Sequence, residues 1–274
     1  MRTLVPAVLM AVLLAAGPAA AQELPPENGA DRPVGRDALG TILINGVTPY
    51  TLGARKLEVL FTHRFQQAIN DGDSHNLWGL DNGADVGIGF VWGAAPRLDL
   101  SVYRASFQED FELAGKFMAF EQSRRIPLTM AVRAGVDHLR RPGVEDPTRP
   151  FAQLLLARRI APGVNLLVSP SWARDTPRLR NAFNVPIGLT LPLPGEDNLI
   201  EIEYIPANRD LDDSVDAWHV ALSKKVGGHI FEIVLGDSRA TTVDQMLGGD
   251  FAGGFRTRDV RLGFNIVRNF SYGQ

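Results

Sequence analysis

The sequence of 274 residues contains no cysteine. Disulfide bonds, thiol nucleophiles and zinc–thiolate centres are therefore excluded. No segment contains the roughly 18 uninterrupted apolar residues that a membrane-spanning helix needs. The fold must therefore be stabilised by backbone hydrogen bonds and by packing against other apolar groups or lipid.

The sequence also has no large excess of either charge. It contains 28 Lys and Arg and 31 Asp and Glu residues, which gives a net charge of -3. This balance gives no electrostatic reason to expect a nucleic-acid partner.

No two of the five histidines share a strand at a ligand spacing, so we expect no metal centre, and we expect no cofactor either. These histidines are His63, His75, His138, His219 and His229.

The first residues have the pattern of a secretory signal peptide. Arg2 gives a cationic start, residues 4–16 are an apolar run broken only by Pro6, and Ala19 to Ala21 offer a small-residue cleavage site. We therefore predict that residues 1–21 are a signal peptide and that the chain is exported.

A stretch between Asp81 and Phe107 predicts the type of fold. Apolar and polar residues alternate from Ala84 to Trp92 and again from Leu98 to Tyr103, separated by the short Gly93–Pro96. Period-two alternation is typical of strands with one apolar face, and the short connection predicts an antiparallel hairpin. Each arm has about ten residues, the length of a tilted strand that crosses a bilayer.

The same alternation recurs from Arg55 onward and predicts about twelve strands, although Pro186 is unfavourable inside one of them. Connections after even-numbered strands are short, and most of those after odd-numbered strands are longer, with 107–110 as the exception. Such parity is typical of outer-membrane barrels. We therefore predict an all-β, antiparallel transmembrane β-barrel of about 12 strands, with short periplasmic turns and longer outer loops. The short connections are 93–96, 122–125, 161–163, 193–197 and 226–228; the long ones are 65–80, 139–150, 173–181, 207–214 and 238–257.

Four stretches resemble a known family. They are Leu57–Phe65, Asn76–Asp81, Val226–Leu235 and Val260–Phe270. In order and spacing they are similar to a family of bacterial outer-membrane β-barrel proteins of unassigned function, a domain of unknown function. The resemblance implies a barrel fold and brings no substrate and no catalytic residues.

We expect three segments along the chain. After the signal peptide, residues 22–54 are rich in Pro, Gly and Asp and contain one apolar patch, Thr41–Val47. We predict that they form an N-terminal periplasmic lead-in whose patch packs at the barrel mouth. Residues 55–274 are predicted to form the barrel domain, located in the outer membrane.

The alternation also predicts which polar side chains face the lumen. A lumen lined by polar side chains predicts a structural barrel or a narrow pore that binds or transports a small solute. We do not expect an enzyme. Its partners would be outer-membrane lipid, the outer-membrane assembly machinery and an unknown small solute. The predicted lumen-facing set is Glu58, Asp85, Asp99, Glu112, Lys116, Arg133, Asp137, Glu201, Glu203, Glu232, Arg261 and Asn265.

Two other functions are compatible with the sequence. A lipid-modifying hydrolase inside the barrel needs a serine beside a histidine, and His138 with Ser169 or Ser171 is the candidate set. A soluble exported barrel that binds an apolar ligand requires the apolar strand faces to point inward.

Two acidic patterns have alternative interpretations. Glu201 and Glu203 share one strand face, which suits acid–base chemistry or ion pairing in the lumen with Arg133 or with Lys56, Lys224 or Lys225. Asp210 to Asp216 resembles the start of a calcium loop, but it lacks the turn glycine and the closing glutamate. A solvated acidic loop is the competing interpretation.

Overall fold

The computed structural model describes residues 40–140, 143, 147–174, 181–195, 197–207, 216–248 and 259–272. The predicted signal peptide, the first part of the lead-in and most of the acidic Asp210–Asp216 loop lie outside the described residues. None of the helices within the described residues is long and apolar enough to cross a membrane.

The described residues form a closed antiparallel barrel of twelve strands. Each strand pairs with its neighbours in the chain, and β12 pairs with β1, for example at Phe61 and Ile266, which closes the barrel. The strands are β1 (Lys56–Phe65), β2 (Ala84–Ala95), β3 (Leu98–Ala105), β4 (Asp110–Phe120), β5 (Thr129–Leu139), β6 (Thr148–Ala161), β7 (Val164–Val168 and Ser171–Ala173), β8 (Ala182–Asn184 and Ile187–Pro192), β9 (Asn198–Ile205), β10 (Ala217–Val226), β11 (His229–Gly236) and β12 (Arg261–Ser271).

Prolines interrupt two of these strands. β7 is broken at Ser169 and Pro170, and β8 is broken at Val185 and Pro186. Proline has no N–H group to donate to the ladder. The interruptions lie side by side, because Ser169 N donates to Pro186 O over 2.9 Å. Pro186, which the sequence predicts to be unfavourable inside a strand, therefore lies at a local break in β8. The barrel remains closed.

The wall has an apolar outside and a polar inside. Along β1, Glu58, Thr62 and Arg64 are buried on the inward face. On the outward face of β11, Ile233 is 60% exposed, because the outward side chains have no protein neighbours to cover them. Aromatic residues flank this apolar band at both ends, with Trp92, Phe270 and Tyr272 near the short turns and Trp172 and Phe183 near the long loops. This pattern is typical of a barrel surrounded by lipid.

Two segments fold into the barrel interior from opposite ends. The N-terminal insert, residues 40–53, enters from the end with the short turns. The outer insert, residues 237–248, enters from the end with the long loops and contains the helix α1 (Val243–Gly248). The sequence predicts that the Thr41–Val47 patch packs at the barrel mouth and that 238–257 is a loop. In the structure, buried hydrogen bonds hold both segments deeper, among lumen side chains.

Glycines in the wall leave room for the N-terminal insert. A Cβ atom added at Gly188 would lie 2.5 Å from Leu43 Cδ2, and one added at Gly93 would lie 1.9 Å from the Gly53 carbonyl oxygen. Any larger side chain at these two positions would collide with the insert. The wall and the insert are therefore matched in shape.

A charge on the outward face tests the lipid contact. Ile233→Lys, near the middle of β11, is expected to lower the free energy of unfolding by about 2–4 kcal/mol in phospholipid vesicles, because a lysine at the bilayer midplane is poorly solvated. The control is Val226→Lys at the end of β10, which is also outward and exposed and is expected to cost about 0–1 kcal/mol. Chemical denaturation measures both. Equal losses would contradict the lipid-facing assignment.

Candidate functional site: two inserts in the lumen

The first half of the N-terminal insert is a small hairpin. Residues 41–48, which we call the lumen hairpin, are closed by hydrogen bonds from Thr48 N to Thr41 O at 2.8 Å and from Leu43 N to Gly46 O at 2.7 Å. Ile42 and Val47 form a bridge across it. The turn directs the backbone N–H groups of Ile44, Asn45 and Gly46 outward from the tip, so they need acceptors in the wall.

Glu203 on β9 supplies those acceptors. Its carboxylate accepts hydrogen bonds from the backbone N–H groups of Ile44 at 3.0 Å, Asn45 at 3.0 Å and Gly46 at 2.7 Å. Glu203 is 4% exposed, so these bonds replace the lost hydration of its carboxylate. One buried charge thus holds the tip of the hairpin at mid-lumen.

A polar network from β1, β11 and β12 surrounds the same tip. Arg64 donates to Asn45 Oδ1 and to Asn265 Oδ1, both at 2.8 Å. Asn265 in turn donates to the Ile44 carbonyl oxygen at 2.8 Å and to Glu232. Because hydrogen bonds from several strands converge on the tip, only one position of the tip satisfies all of its polar groups.

The base of the N-terminal insert is bound nearer to the short turns. Lys116 on β4 donates to the carbonyl oxygen of Thr48 at 3.1 Å and to that of Tyr50. Lys116 also lies 3.5 Å from Asp99, whose carboxylate accepts the Leu52 N–H at 3.2 Å. Thr41 donates to Glu58. Charged wall residues therefore bind the insert along its whole length.

The outer insert is bound by wall carboxylates in the same way. Arg239 forms an ion pair with Asp85 at 2.9 Å. At the start of α1, Val243 N donates to Glu112 Oε2 at 3.1 Å and Asp244 N donates to Asp137 Oδ2 at 3.2 Å. The first N–H groups of a helix have no partner within the helix, and here wall carboxylates supply partners.

Apolar contacts add to the binding of α1. Val243 and Leu247 pack with Phe151, Ala173 and Ala182 of the wall. All of these side chains are buried. The outer insert is therefore fixed by polar bonds at the start of α1 and by apolar packing along it.

Burial shifts the pKa of two carboxyl groups in the outer insert. Burial raises the pKa of Asp237 to about 6, although its carboxylate accepts the Trp218 N–H at 2.9 Å. Burial also raises the pKa of Asp244, against the opposing effect of the nearby Arg149. Both groups lie outside the spanning strands and are deprived of water by the wall around them.

Two small cavities remain between the inserts. One of about 60 Å³ is lined by Ile44 and Asn45 of the lumen hairpin, Thr241 of the outer insert and Tyr103 of the wall. The other, of about 40 Å³, lies between Leu43 and Met246. Spaces of this size hold a few water molecules. In the described part of the chain, the two inserts thus fill most of the lumen between them.

The structure places all twelve predicted lumen-facing residues at inward positions of their strands. Eleven of them are buried, and the network around Glu203 and the contacts of the outer insert bring most of them together. Arg261 is partly exposed at the end with the long loops, where it donates to the carbonyl oxygens of Gln66, Asp237 and Asp259. The role of the twelve residues as the lining of an open pore stays a prediction.

Several other inward residues are not among the twelve predicted ones. Arg64 continues the inward alternation of Glu58 and Thr62, and this period-two signal would have identified it. Asp110 and Arg149 lie near strand ends, where alternation is least informative. Asp244 lies in the outer insert, for which no strand pattern exists.

His138 is not brought together with either proposed serine, because Ser169 lines the inner cavity beside Leu43 and Ser171 is also inside. His138 is exposed on the outer surface, where its Nδ1 lies 2.9 Å from Thr148 Oγ1. Ser171 is buried on the inside and bonds to Gln153 and to the Ser169 carbonyl oxygen. The barrel wall therefore separates His138 from the Ser171 hydroxyl.

The lysines proposed as partners of Glu201 and Glu203 are exposed. Lys224 bonds to Asn198, and Lys56 and Lys225 are also outside the lumen. The expectation of ion pairs with these three residues is wrong, because they lie at the short-turn rim or on the outward face. Glu203 binds backbone N–H groups instead, and Glu201 Oε2 is buried without a hydrogen-bond partner.

The histidines are dispersed as well. His63 stacks on Phe264 with ring centroids 4.7 Å apart on the outer surface, and His75 lies in an outer loop. His219 is buried beside Ser238 O at 3.3 Å, and His229 lies 3.0 Å from Arg268. Among the described residues, the grouping of possible metal ligands consists of three aspartates and contains no histidine.

A closed barrel with an apolar exterior, aromatic ends and a charged interior defines an outer-membrane β-barrel protein. The chain belongs to the family described as Membrane bound beta barrel domain (DUF5777), whose model matches residues 39–270. The matched region includes the N-terminal insert as well as the wall. No curated protein matches the chain.

Solved barrels resemble the structure at low sequence identity. The COG4313 outer membrane channel from Pseudomonas putida F1 is 11% identical, with a TM-score of 0.49 over 81% of this chain and 97% of the channel. Outer membrane phospholipase A from Escherichia coli is 12% identical, with a TM-score of 0.42 over 78% and 89% of the two chains. Omp33 from Acinetobacter baumannii is 10% identical, with a TM-score of 0.40 over 79% and 98%. None of these similarities carries an activity over to this chain.

The alternative of a soluble exported barrel is wrong. It required an apolar interior, whereas the large apolar side chains of β2 and β11, such as Phe90 and Ile233, point outward. The protein is located in the outer membrane.

Replacement of Glu203 tests how the lumen hairpin is held. Because the protein has no cysteine, Ile44→Cys provides a single reporter thiol at a fully buried position. Adding Glu203→Gln removes a charged acceptor. Hydrogen bonds to charged groups contribute about 1.5–3 kcal/mol, so maleimide labelling is expected to accelerate at least about tenfold.

The matched control is Glu201→Gln in the same Ile44→Cys background. Glu201 is also buried, lies two residues away on the same face, and has a carboxylate oxygen without a partner. Its replacement is expected to leave the labelling rate nearly unchanged. If both variants label at the parent rate while they remain folded, Glu203 does not hold the hairpin.

Proposed function

We propose that the protein is a gated channel for small cations or small cationic solutes, that it is not an enzyme, and that the two inserts are its gates. The observation that carries this proposal is the closure of a continuous barrel by two separate segments bound to lumen carboxylates. Such contacts can be exchanged for water when a segment leaves, because carboxylates and N–H groups are both well hydrated.

The charge of the lumen supports cations as the solutes. Eleven carboxylates are buried in the described residues, compared with four Lys and Arg side chains. Nine of the eleven belong to the strands and would remain in the wall after both inserts had left. Rings of Asp and Glu favour cations in pores.

The width of the barrel supports a small solute. Barrels of about eight strands are filled by their own side chains, and those of 16–18 strands leave a wide aqueous channel. A twelve-stranded wall lies between these limits. Removal of the inserts would therefore leave a narrow passage and exclude large solutes.

The hydrolase alternative has no comparable support. Its histidine and serine lie on opposite faces of the wall, with His138 exposed and Ser171 buried. A nucleophile needs its base within hydrogen-bonding distance.

Single-channel recording in planar bilayers tests the channel function. One variant lacks residues 40–52 and carries a short glycine-serine linker in place of residues 239–258. This linker suits the fold because Gly236 and Arg261 pair directly across β11 and β12. The wild type is expected to be mostly closed. The variant is expected to conduct, with a reversal potential in a KCl gradient that shows preference for K⁺.

The control variant carries the same linker in place of residues 73–78, a loop whose residues are exposed or half-buried. It is expected to remain as closed as the wild type. A folded double-insert variant that is silent would contradict the channel function, and a conducting variant that prefers Cl⁻ would contradict the cation preference.

A further inference from the structure

Three aspartates meet where the outer insert contacts the wall. Asp110 begins β4, Asp137 lies near the end of β5, and Asp244 lies in α1. One carboxylate oxygen from each lies within 4.8 Å of the other two, and all three side chains are fully buried. Three separate parts of the chain thus place acidic groups at one point, which we call the aspartate cluster.

Several oxygen atoms at this point have no hydrogen-bond partner. They are Asp110 Oδ1, Asp137 Oδ1 and the amide oxygen of Gln245. Gln245 is 1% exposed, and its Nε2 donates to Asp110 Oδ2 at 2.9 Å. This bond directs the NH2 group of the Gln245 amide, and not its oxygen, toward Asp110. Buried oxygens without a donor are costly unless a proton or a metal ion satisfies them.

The local charges do not balance. Arg149 forms an ion pair with Asp244 at 3.2 Å, whereas Arg133 is paired with Glu112. Within the described residues, neither Asp110 nor Asp137 has an ion-pair partner. If the three aspartates are ionised, two negative charges are left without compensation, which matches one divalent cation.

We propose that the carboxylates of Asp110, Asp137 and Asp244 bind one Ca²⁺ ion. Carboxylate oxygens are ligands that suit hard cations. Ca²⁺ accepts irregular cages of protein oxygens at 2.3–2.6 Å, whereas Mg²⁺ dehydrates reluctantly and usually keeps several waters. A fully buried site without access to bulk water therefore favours Ca²⁺ over Mg²⁺.

The ion would connect α1 to β4 and β5. Val243 and Asp244 already donate their backbone N–H groups to Glu112 and Asp137, so a bound ion would add a second link at the same place. Ca²⁺ would thereby hold the outer insert in the lumen. The site does not depend on the proposed channel function, because binding and the position of the insert are measurable without conductance.

Equilibrium dialysis with ⁴⁵Ca²⁺ on the folded, chelator-treated full chain in detergent tests the site. The wild type is expected to bind one Ca²⁺ per chain, saturating at or below about 1 mM. Asp137→Asn, which keeps the size of the side chain, is expected to lower the affinity at least tenfold, and Asp110→Asn with Asp137→Asn to abolish binding. Glu201→Gln, which changes a buried lumen carboxylate outside the cluster, is expected to bind like the wild type.

A thiol reporter in α1 provides the second measurement. Leu247→Cys replaces a buried residue, and Ca²⁺ is expected to slow its maleimide labelling at least tenfold. Ca²⁺ is expected to have no such effect when Asp137→Asn is also present, or on Ile44→Cys in the lumen hairpin.

Four results would overturn the proposal. The first is no binding to folded wild type, which would mean that protonation satisfies the cluster. The second is binding that persists unchanged in Asp137→Asn, which would place the ion elsewhere, such as at Asp210–Asp216. The third is equal protection of Leu247→Cys by Mg²⁺, which would remove the calcium assignment. The fourth is binding without any protection, which would show that the ion does not hold the insert.

Discussion

Carboxylates on the inner wall accept backbone N–H groups from two inserted segments, and the position of both segments in the lumen depends on this interaction. Glu203 binds the tip of the lumen hairpin, while Glu112 and Asp137 bind the start of α1. A carboxylate that loses water needs donors, and a turn or helix start that enters a barrel needs acceptors. The wall carboxylates therefore provide the acceptors that the inserts need, and the N–H groups of the inserts replace the water that the carboxylates lose. An apolar interior would provide no such acceptors, and the polar inner face allows the inserts to be held by bonds that water can replace.

The sequence allowed the wall to be predicted because membrane barrels obey a simple periodicity. In β1, the alternation of Glu58 with Phe61 and its neighbours shows which face meets lipid, since lipid and lumen impose opposite polarity on successive residues. The strand number followed from how often the apolar–polar alternation recurs, and the alternation of short and long connections indicated an outer-membrane barrel. Pro186 was recognised as unfavourable in a ladder, and the structure accommodates it by a break beside Pro170.

The inserts could not be predicted, because their signals are short and their partners are distant in sequence. Thr41–Val47 is an apolar patch that resembles a strand or a surface contact equally well, and its acceptor Glu203 is about 160 positions away. The helix α1 has six residues, too few for a helical periodicity to emerge. The aspartate cluster combines residues from β4, β5 and α1, so no spacing pattern connects them. Long-range contacts of this kind are determined by the closed wall and not by local sequence.

Hydrogen exchange at the tip of the lumen hairpin tests the central claim most directly. The amides of Ile44, Asn45 and Gly46 donate to a buried carboxylate, so they can exchange only when the hairpin leaves Glu203. Exchange mass spectrometry on the folded protein in detergent, with peptides covering residues 41–48, measures this opening. We predict that exchange is at least a hundredfold slower than for an unstructured peptide of the same sequence, since about 2.8 kcal/mol of opening free energy corresponds to that factor. Exchange at the unprotected rate in a folded barrel would contradict the account.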